Sequence, residues 1–149
     1  MPFKNRGTYV EEYVYDFAVD GGVKDVAINL GAKAGKSVVP VGAIIKRVTA
    51  HVLTAPTSAG SATVAWGNGD DADGYSGTTI AIASLAINTV ITGWDLGANL
   101  LWDDTNDHSI PVNVLNTADG EFEVLISTAN LTAGKILFLV EYYYPKTVA

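Results

Sequence analysis

The sequence predicts an all-β fold, a single antiparallel β-sandwich. Three observations predict it: apolar and polar residues alternate with a period of two in several short runs, turn-forming Gly, Asp and Pro residues separate these runs, and the helical period is weak throughout. The result is about eight strands, for which the double-sheet jelly roll is the arrangement that we expect. With 149 residues the chain has the size of one domain. We divide it into an N-terminal arm (residues 1–8) and a jelly-roll domain (residues 9–149).

The N-terminal half predicts four strands. Aromatic residues alternate with carboxylates through a first strand at residues 13–19. Asp20-Gly21-Gly22 then favours a turn, because glycine adopts a positive φ without steric cost. The other three strands are predicted at residues 24–30, 44–54 and 62–66, with loops at 31–36 and 56–60.

The C-terminal half predicts the remaining strands, with less regular spacing. Residues 67–77 form an acidic, glycine-rich loop and residues 78–91 a strand, although 80–86 is also compatible with a short helix. Residues 93–101 are strand or irregular, and 103–108 are a polar loop. A hairpin turn is expected at 116–120, where Asp119-Gly120 suits it, and another turn at 131–134. The last strands are predicted at residues 110–115, 121–127 and 136–144.

The last predicted strand is apolar on both faces, so we expect both faces to be covered. One face carries Ile136, Phe138 and Val140, and the other carries Leu137 and Leu139. Two interpretations remain open: a central strand with a loop lying over it, or a strand at an interface between subunits. The second interpretation makes Leu137, Leu139 and Tyr143 candidate contact residues.

The composition indicates either a free surface that is poor in charge or a surface that is partly covered by partners. Charged residues make up 17% of the chain, below the roughly 25% of typical soluble domains. The net charge is −7, with nine basic residues against 16 acidic ones, so we expect no nucleic-acid binding. No apolar run reaches 18 residues, so we predict no membrane span, and the N-terminus lacks the apolar stretch of a signal peptide. We therefore expect synthesis in the cytoplasm and no membrane partner.

The residues that catalysis needs are scarce. The chain has no cysteine and two histidines, without a nucleophile elbow beside them. His51 lies within a predicted strand, where a packing or hydrogen-bonding role is expected, and His108 lies in a polar loop. We predict that the protein is not an enzyme and needs no cofactor.

A hard cation is the one metal that the acidic loop would suit. Asp70, Asp71 and Asp73 place oxygen ligands in a glycine-rich segment. The segment does not fit an EF-hand, because Ile80 stands where the bidentate glutamate is required. Since Asp, Asn and Gly also form turns through local hydrogen bonds, we predict no bound metal and keep these three residues as weak candidates.

Two further groups of residues are candidate contact elements. Trp94 and Trp102 could stack on sugar rings, although three tryptophans, with Trp66, are also ordinary for a sandwich core. The N-terminal arm is basic and carries Phe3, Lys4 and Arg6. Such an arm is either a disordered terminus or a segment that lies across a neighbouring subunit.

Most of residues 13–144 resembles a family of small virion proteins of tailed bacteriophages. The resemblance depends on the stretch 117–135, followed by Val140-Glu141-Tyr142. Shorter stretches of the same family occur upstream in the same order, at residues 15–22, 40–45, 55–58 and 71–75.

The resemblance implies a jelly-roll subunit of the virion that has no catalytic residues. The expected role is a homotrimeric decoration or cement protein, which binds the major capsid protein on the outside of the bacteriophage capsid and stabilises it. The alternative is a carbohydrate- or receptor-binding sandwich of a phage head or tail fibre, in which Trp94 and Trp102 would contact the glycan.

Overall fold

A computed structural model describes residues 8–31, 33, 39–69, 72–92, 114–115 and 122–144. Over these residues the chain is almost entirely β-structure, which confirms the predicted all-β sandwich. No helix among them is long and apolar enough to cross a membrane. The strands are β1 (Tyr9–Asp16), β2 (Ala27–Asn29), β3 (Ile44–Ser58), β4 (Thr63–Gly67), β5 (Ile80–Ala81), β6 (Val90–Thr92), β7 (Val114–Leu115), β8 (Glu123–Ser127) and β9 (Leu131–Tyr143). The helices are the single turn α1 (Phe17–Asp20) and a 3₁₀ turn (Ile82–Ser84).

The described strands form two antiparallel sheets. The first sheet has the order β1-β9-β3-β6, with the two-residue β7 also paired to β3. The second sheet has the order β2-β8-β4-β5. Within the first sheet β9 is the central strand, because it pairs with β1 along all eight residues of β1 and with β3 along its other side.

The core lies between the two sheets. Alternate residues of β9 face inward, so Phe138 is fully buried at the centre of the first sheet. Its ring centroid lies 5.3 Å from that of Trp66 on β4 and 4.9 Å from that of Phe122, which directly precedes β8. The ring of Tyr13 on β1 stacks on Phe122 from the other side, at 4.9 Å. These aromatic contacts join the sheets and hold their separation.

The first strand ends earlier than predicted. We expected residues 13–19 to be one strand, but β1 stops at Asp16 and residues 17–20 form one helical turn. Asp16 caps this turn: its Oδ1 accepts a hydrogen bond of 3.0 Å from the backbone N–H of Ala18. The predicted turn that follows is confirmed by Gly21, which has a φ of +76°.

Strands β3 and β9 are longer than predicted, and two predicted turns are wrong. Residues 56–58 continue β3, and residues 131–134 are the start of β9. Register shifts in this stretch let the paired strands bend without separating. Gly134, with a φ of +142°, allows the close approach, since a Cβ there would lie 3.1 Å from the Cα of Pro56.

The segment 78–91 is not one strand. It contains the two-residue β5, then the 3₁₀ turn, and then β6 in the other sheet. The prediction of a continuous strand is therefore wrong, and the short helical alternative is confirmed only as one 3₁₀ turn. The apolar run was misleading because Ile80, Leu85 and Ile91 are each buried from a different local conformation.

The predicted hairpin at residues 116–120 is wrong in its pairing. β7 pairs with β3 in the first sheet, whereas β8 pairs with β2 and β4 in the second. The strands on either side of the Asp-Gly sequence therefore belong to different sheets. The turn itself lies outside the described residues, as do the segments predicted at 93–101 and 103–108.

Candidate interaction surface

The side of the first sheet that faces away from the core is here called the outer face. It is built by the side chains that alternate with the buried ones along the four main strands. Its described members are Val10, Glu12, Val14 and Asp16 of β1, Lys135, Leu137, Leu139 and Glu141 of β9, Arg47, Thr49 and His51 of β3, and Val90 and Thr92 of β6.

The middle of the outer face carries four apolar side chains, with His51 among them. Val14, Leu137, His51 and Val90 are paired in one row across the four strands. Leu139 occupies the same strand as Leu137 in the next row, between two polar neighbours. Leu137 and Leu139 are half-buried by their neighbours in the sheet, and Val90 at the edge is 56% exposed. The strand order shows that β9 lies inside the sheet, and no described loop covers these two leucines.

Ion pairs lie on either side of the apolar rows. Arg47 Nε donates to Glu141 Oε2 on one side, and on the other Lys135 Nζ lies 3.0 Å from Asp16 Oδ2. The hydrogen bond to Glu141 raises the pKa of Arg47. The hydrogen bond from Lys135, followed by that from a backbone N–H, lowers the pKa of Asp16. An apolar centre with charged residues at its rim is the arrangement found in protein–protein interfaces.

Tyr143, the third candidate contact residue of the last strand, lies at the end of β9. Its side chain is half-buried, and the ammonium group of Lys46 lies 5.4 Å from the centre of its ring. The preceding Tyr142 faces inward and stacks on Tyr9 at 5.6 Å. Burial, followed by the charge of Glu11, raises the pKa of Tyr142.

The acidic loop is anchored more firmly than its composition predicts. The carbonyl oxygen of Trp66 accepts hydrogen bonds of 3.0 Å from the backbone N–H groups of both Tyr75 and Ser76. Ser76 is fully buried, and Tyr75 stacks on Phe122 at 5.6 Å. Sequence reasoning missed this anchor, and the aromatic residue inside an otherwise polar loop was its one visible sign.

Of the three metal candidates in this loop, only Asp73 lies among the described residues. Asp70 and Asp71 lie outside them, and the backbone carbonyl of Asp73 accepts a hydrogen bond of 2.5 Å from the N–H of Gly77. No group of three or more His, Asp or Glu side chains in the described part of the chain is placed to hold a metal ion.

The remaining predicted residues divide into two groups. Trp66 is a core residue, so it cannot serve as an exposed stacking platform, and His51 lies on the outer face. The others fall outside the described residues: Phe3, Lys4, Arg6, Trp94, Trp102 and His108.

A second apolar surface was missed by the sequence analysis. Val19, Val23 and Val26, in the connection from β1 to β2, are 75%, 58% and 54% exposed. This connection is held to the β8–β9 turn, where the N–H of Leu131 donates to the carbonyl of Gly22 at 2.8 Å. The sign that the sequence offered for this surface was three β-branched residues close to a predicted turn.

Comparison with known proteins places the fold among bacteriophage capsid structures. No protein-family profile and no curated protein matches the sequence. A chain of the acid-stable capsid of Helicobacter pylori bacteriophage KHP30 is similar over 93% of this chain and 89% of its own, with a TM-score of 0.56 and 16% identity. A chain of the capsid asymmetric unit of cyanophage Pam1 is similar over 97% of this chain and 100% of its own, with a TM-score of 0.58 and 18% identity. At these identities the likeness shows a shared fold.

Proposed function

We propose that this protein is a non-enzymatic virion structural protein, a homotrimeric decoration or cement protein on the outside of a bacteriophage capsid. In this role it binds the major capsid protein and stabilises the shell. It is synthesised in the host cytoplasm and acts at the capsid surface. The proposal needs no nucleic-acid or membrane partner and no cofactor.

The strand pairing supports a jelly roll, the fold that the resemblance implies. β1 pairs with β9, β2 with β8, β3 with β6 and β4 with β5. This is the pairing of one long antiparallel ribbon, folded at its middle and wrapped into two sheets, as in a jelly roll. A jelly roll alone carries no function, so the argument continues with the neighbours and the surface.

The observation that carries the proposal is the near-complete coverage of both similar capsid chains. Each is matched along at least 89% of its own length, so no large catalytic or binding domain distinguishes it from this chain. The outer face adds a physical reason. Burying Leu137, Leu139 and Val90 against a partner removes apolar surface from water, which contributes about 25 cal/mol for each Å² buried before the entropy cost of association is subtracted.

Two measurements test the proposal together. The solution mass, by light scattering after size-exclusion chromatography, should be near three times 15.6 kDa. The purified protein should also bind capsids that lack it and raise the temperature at which they disassemble. A monomer at micromolar concentration that does not bind capsids contradicts the proposal.

A matched pair of variants locates the contact surface. Leu137→Glu introduces a carboxylate into the apolar middle of the outer face and should abolish capsid binding or trimerisation. Thr78→Glu changes an exposed residue just before β5, the edge strand of the second sheet, and should leave capsid binding and trimerisation unchanged. Equal behaviour of the two variants would exclude the outer face as the contact surface.

The carbohydrate-binding alternative depends on Trp94 and Trp102, and no observation on the described residues favours it. A glycan array decides it: specific hits that Trp102→Ala abolishes would transfer the function to glycan recognition.

A further inference from the structure

Strand β1 is an edge strand among the described strands of the first sheet, and described side chains close only half of that edge. β9 pairs with one side of β1 along its whole length. No other described strand pairs with the opposite side. In an antiparallel ladder, alternate residues direct both their N–H and C=O groups to the same side. Every second residue of β1 therefore directs its N–H and C=O groups to the side that β9 does not occupy.

The C-terminal half of the free edge is closed by two side chains. Lys33 Nζ donates a hydrogen bond of 2.5 Å to the carbonyl oxygen of Val14, and Asp20 Oδ2 accepts one of 2.8 Å from the N–H of Asp16. Lys33 and Asp20 are themselves paired at 2.8 Å, and the Asp20 side chain is only 7% exposed. Charged side chains at an edge strand prevent pairing with another strand.

Within the described part of the chain nothing closes the N-terminal half of the same edge, here called the open edge. The closed half shows that the even-numbered residues face the edge, so the next groups on this side belong to Val10 and Glu12. Neither residue makes a hydrogen bond on that side to any part of the chain that the structure describes. Val10 is 52% exposed and Tyr9 39%. An open strand edge with exposed apolar side chains is a template for an added strand.

The same chain could reach this edge only by reversing its direction before Tyr9, because Tyr9 is extended and paired with Tyr142. An arm that continues in the direction of β1 instead leads away from the edge and can reach another molecule.

We propose that the N-terminal arm of a second copy of this chain pairs with the open edge of β1 at Val10 and Glu12. The proposal deepens the proposed function, since it names the contact that holds the oligomer together. Each copy both donates an arm and accepts one, which closes into a ring when three copies are related by a rotation.

Charge favours this occupant. Lys4 and Arg6 are two of only nine basic residues, so the body they would contact has seven bases against 16 acids. Two residues apart, they share one face of an extended strand. Glu12 lies at the open edge on the outer face, Glu11 precedes it on the opposite face of the strand, and neither has an ion-pair partner among the described residues. At a length of roughly 3.3 Å per residue, the eight-residue arm spans about 26 Å, enough to cross to a neighbour.

Complementation between two defective full-length chains tests the proposal. The edge variant Val10→Pro removes the outward N–H and leaves the bonds from Tyr9 and Glu11 to β9 intact. The arm variant Lys4→Glu/Arg6→Glu has an intact β1 edge, but its acidic arm is repelled by the acidic edge of a neighbouring copy. Each variant alone should be a monomer of 15.6 kDa where the wild type is oligomeric. Their mixture should form a dimer of twice that mass, because the edge variant donates its arm to the arm variant.

Two controls keep the result interpretable. Val10→Thr retains the N–H and should associate like the wild type. Glu11→Lys/Glu12→Lys serves as a second edge variant if circular dichroism shows that the proline variant has lost its fold. Combining it with the arm variant in one chain should restore the oligomer.

The outcomes separate this inference from the proposed function. An oligomeric wild type whose mass none of these variants changes overturns the arm exchange and leaves the capsid role standing. Mixed variants that stay monomeric overturn it as well. A wild type that is monomeric and does not bind capsids contradicts both proposals.

Discussion

Two neighbouring residues of β9 should respond very differently to truncation. Phe138 is fully buried between the sheets, and Leu139 is half-buried on the outer face. Phe→Ala in a core costs about 3–5 kcal/mol of unfolding free energy. The rings of Trp66 and Phe122 belong to the opposite sheet, whose hydrogen bonds hold them in place, so the cavity cannot collapse. We therefore expect Phe138→Ala to cost about 4 kcal/mol.

Leu139→Ala should cost far less. A fully buried leucine contributes about 1.5–3 kcal/mol, so a half-buried one contributes roughly 1 kcal/mol. Since a domain of this size is stable by about 5–15 kcal/mol, Phe138→Ala removes a large fraction of the total and Leu139→Ala a small one. For oligomer formation we expect the opposite order: Leu139→Ala should weaken association more than Phe138→Ala, because Leu139 lies on the surface proposed to contact a partner.

Urea unfolding of both variants at one protein concentration, followed by tryptophan fluorescence, measures the difference. Phe138→Leu is the control, because it leaves a smaller cavity and should lose about half as much as Phe138→Ala. The reasoning would be refuted by equal losses, or by a larger loss for Leu139→Ala. A larger loss for Leu139→Ala would mean that the strand faces are assigned the wrong way round, because a register slip of one residue exchanges them.

Three further predictions concern single side chains. Burial first, and then two nearby carboxylates, raise the pKa of Tyr15 to about 12. The stability that this shift contributes is complete below pH 10 and is lost as the pH rises towards 12; alkaline unfolding curves should show the loss, and Tyr15→Phe should flatten it. Gly22→Ala should lower the melting temperature by several degrees, because the new Cβ would lie 2.6 Å from the carbonyl oxygen of Leu131. Ser76→Ala should cost about 1–3 kcal/mol in the same urea assay, because it removes the hydroxyl oxygen that accepts a hydrogen bond from the buried backbone N–H of Trp66.

The sequence was most informative where one face of a strand is buried. The alternation of Phe122, Val124 and Ile126 predicted β8 and its inward face, and all three are buried. Tyr13 and Tyr15 likewise predicted the inward face of β1. In such strands a period of two is imposed by the core itself, so the pattern and the structure have the same cause.

The ends of elements were less predictable. β1 gave way to a helical turn because Asp16 caps it, although Phe17 and Val19 continue the alternation. At the other extreme, Pro56 and Gly134 predicted turns but lie within paired strands. Their local preferences were overridden because β3 and β9 pair along almost their whole length, and the register shifts absorb the mismatch.

The candidate surface was predicted in part. The apolar second face of the last strand singled out Leu137 and Leu139, which lie outside the core on an interior strand of the first sheet. The neighbours that complete the surface come from β1, β3 and β6, which are distant in sequence. The closure of half the β1 edge also depends on Lys33 and Asp20 meeting there, and no spacing in the sequence indicates this.

The sequence by itself determined the fold class, the inward residues of the main strands and the scarcity of catalytic groups, because composition and periodicity are local properties of the chain. The tertiary structure alone decided which strands are neighbours, where they bend and which edge is left open. Strand pairing joins residues more than a hundred positions apart, such as Tyr9 and Tyr142. The energy of that pairing depends on the whole sheet, so it outweighs the local preferences of the segments that it joins.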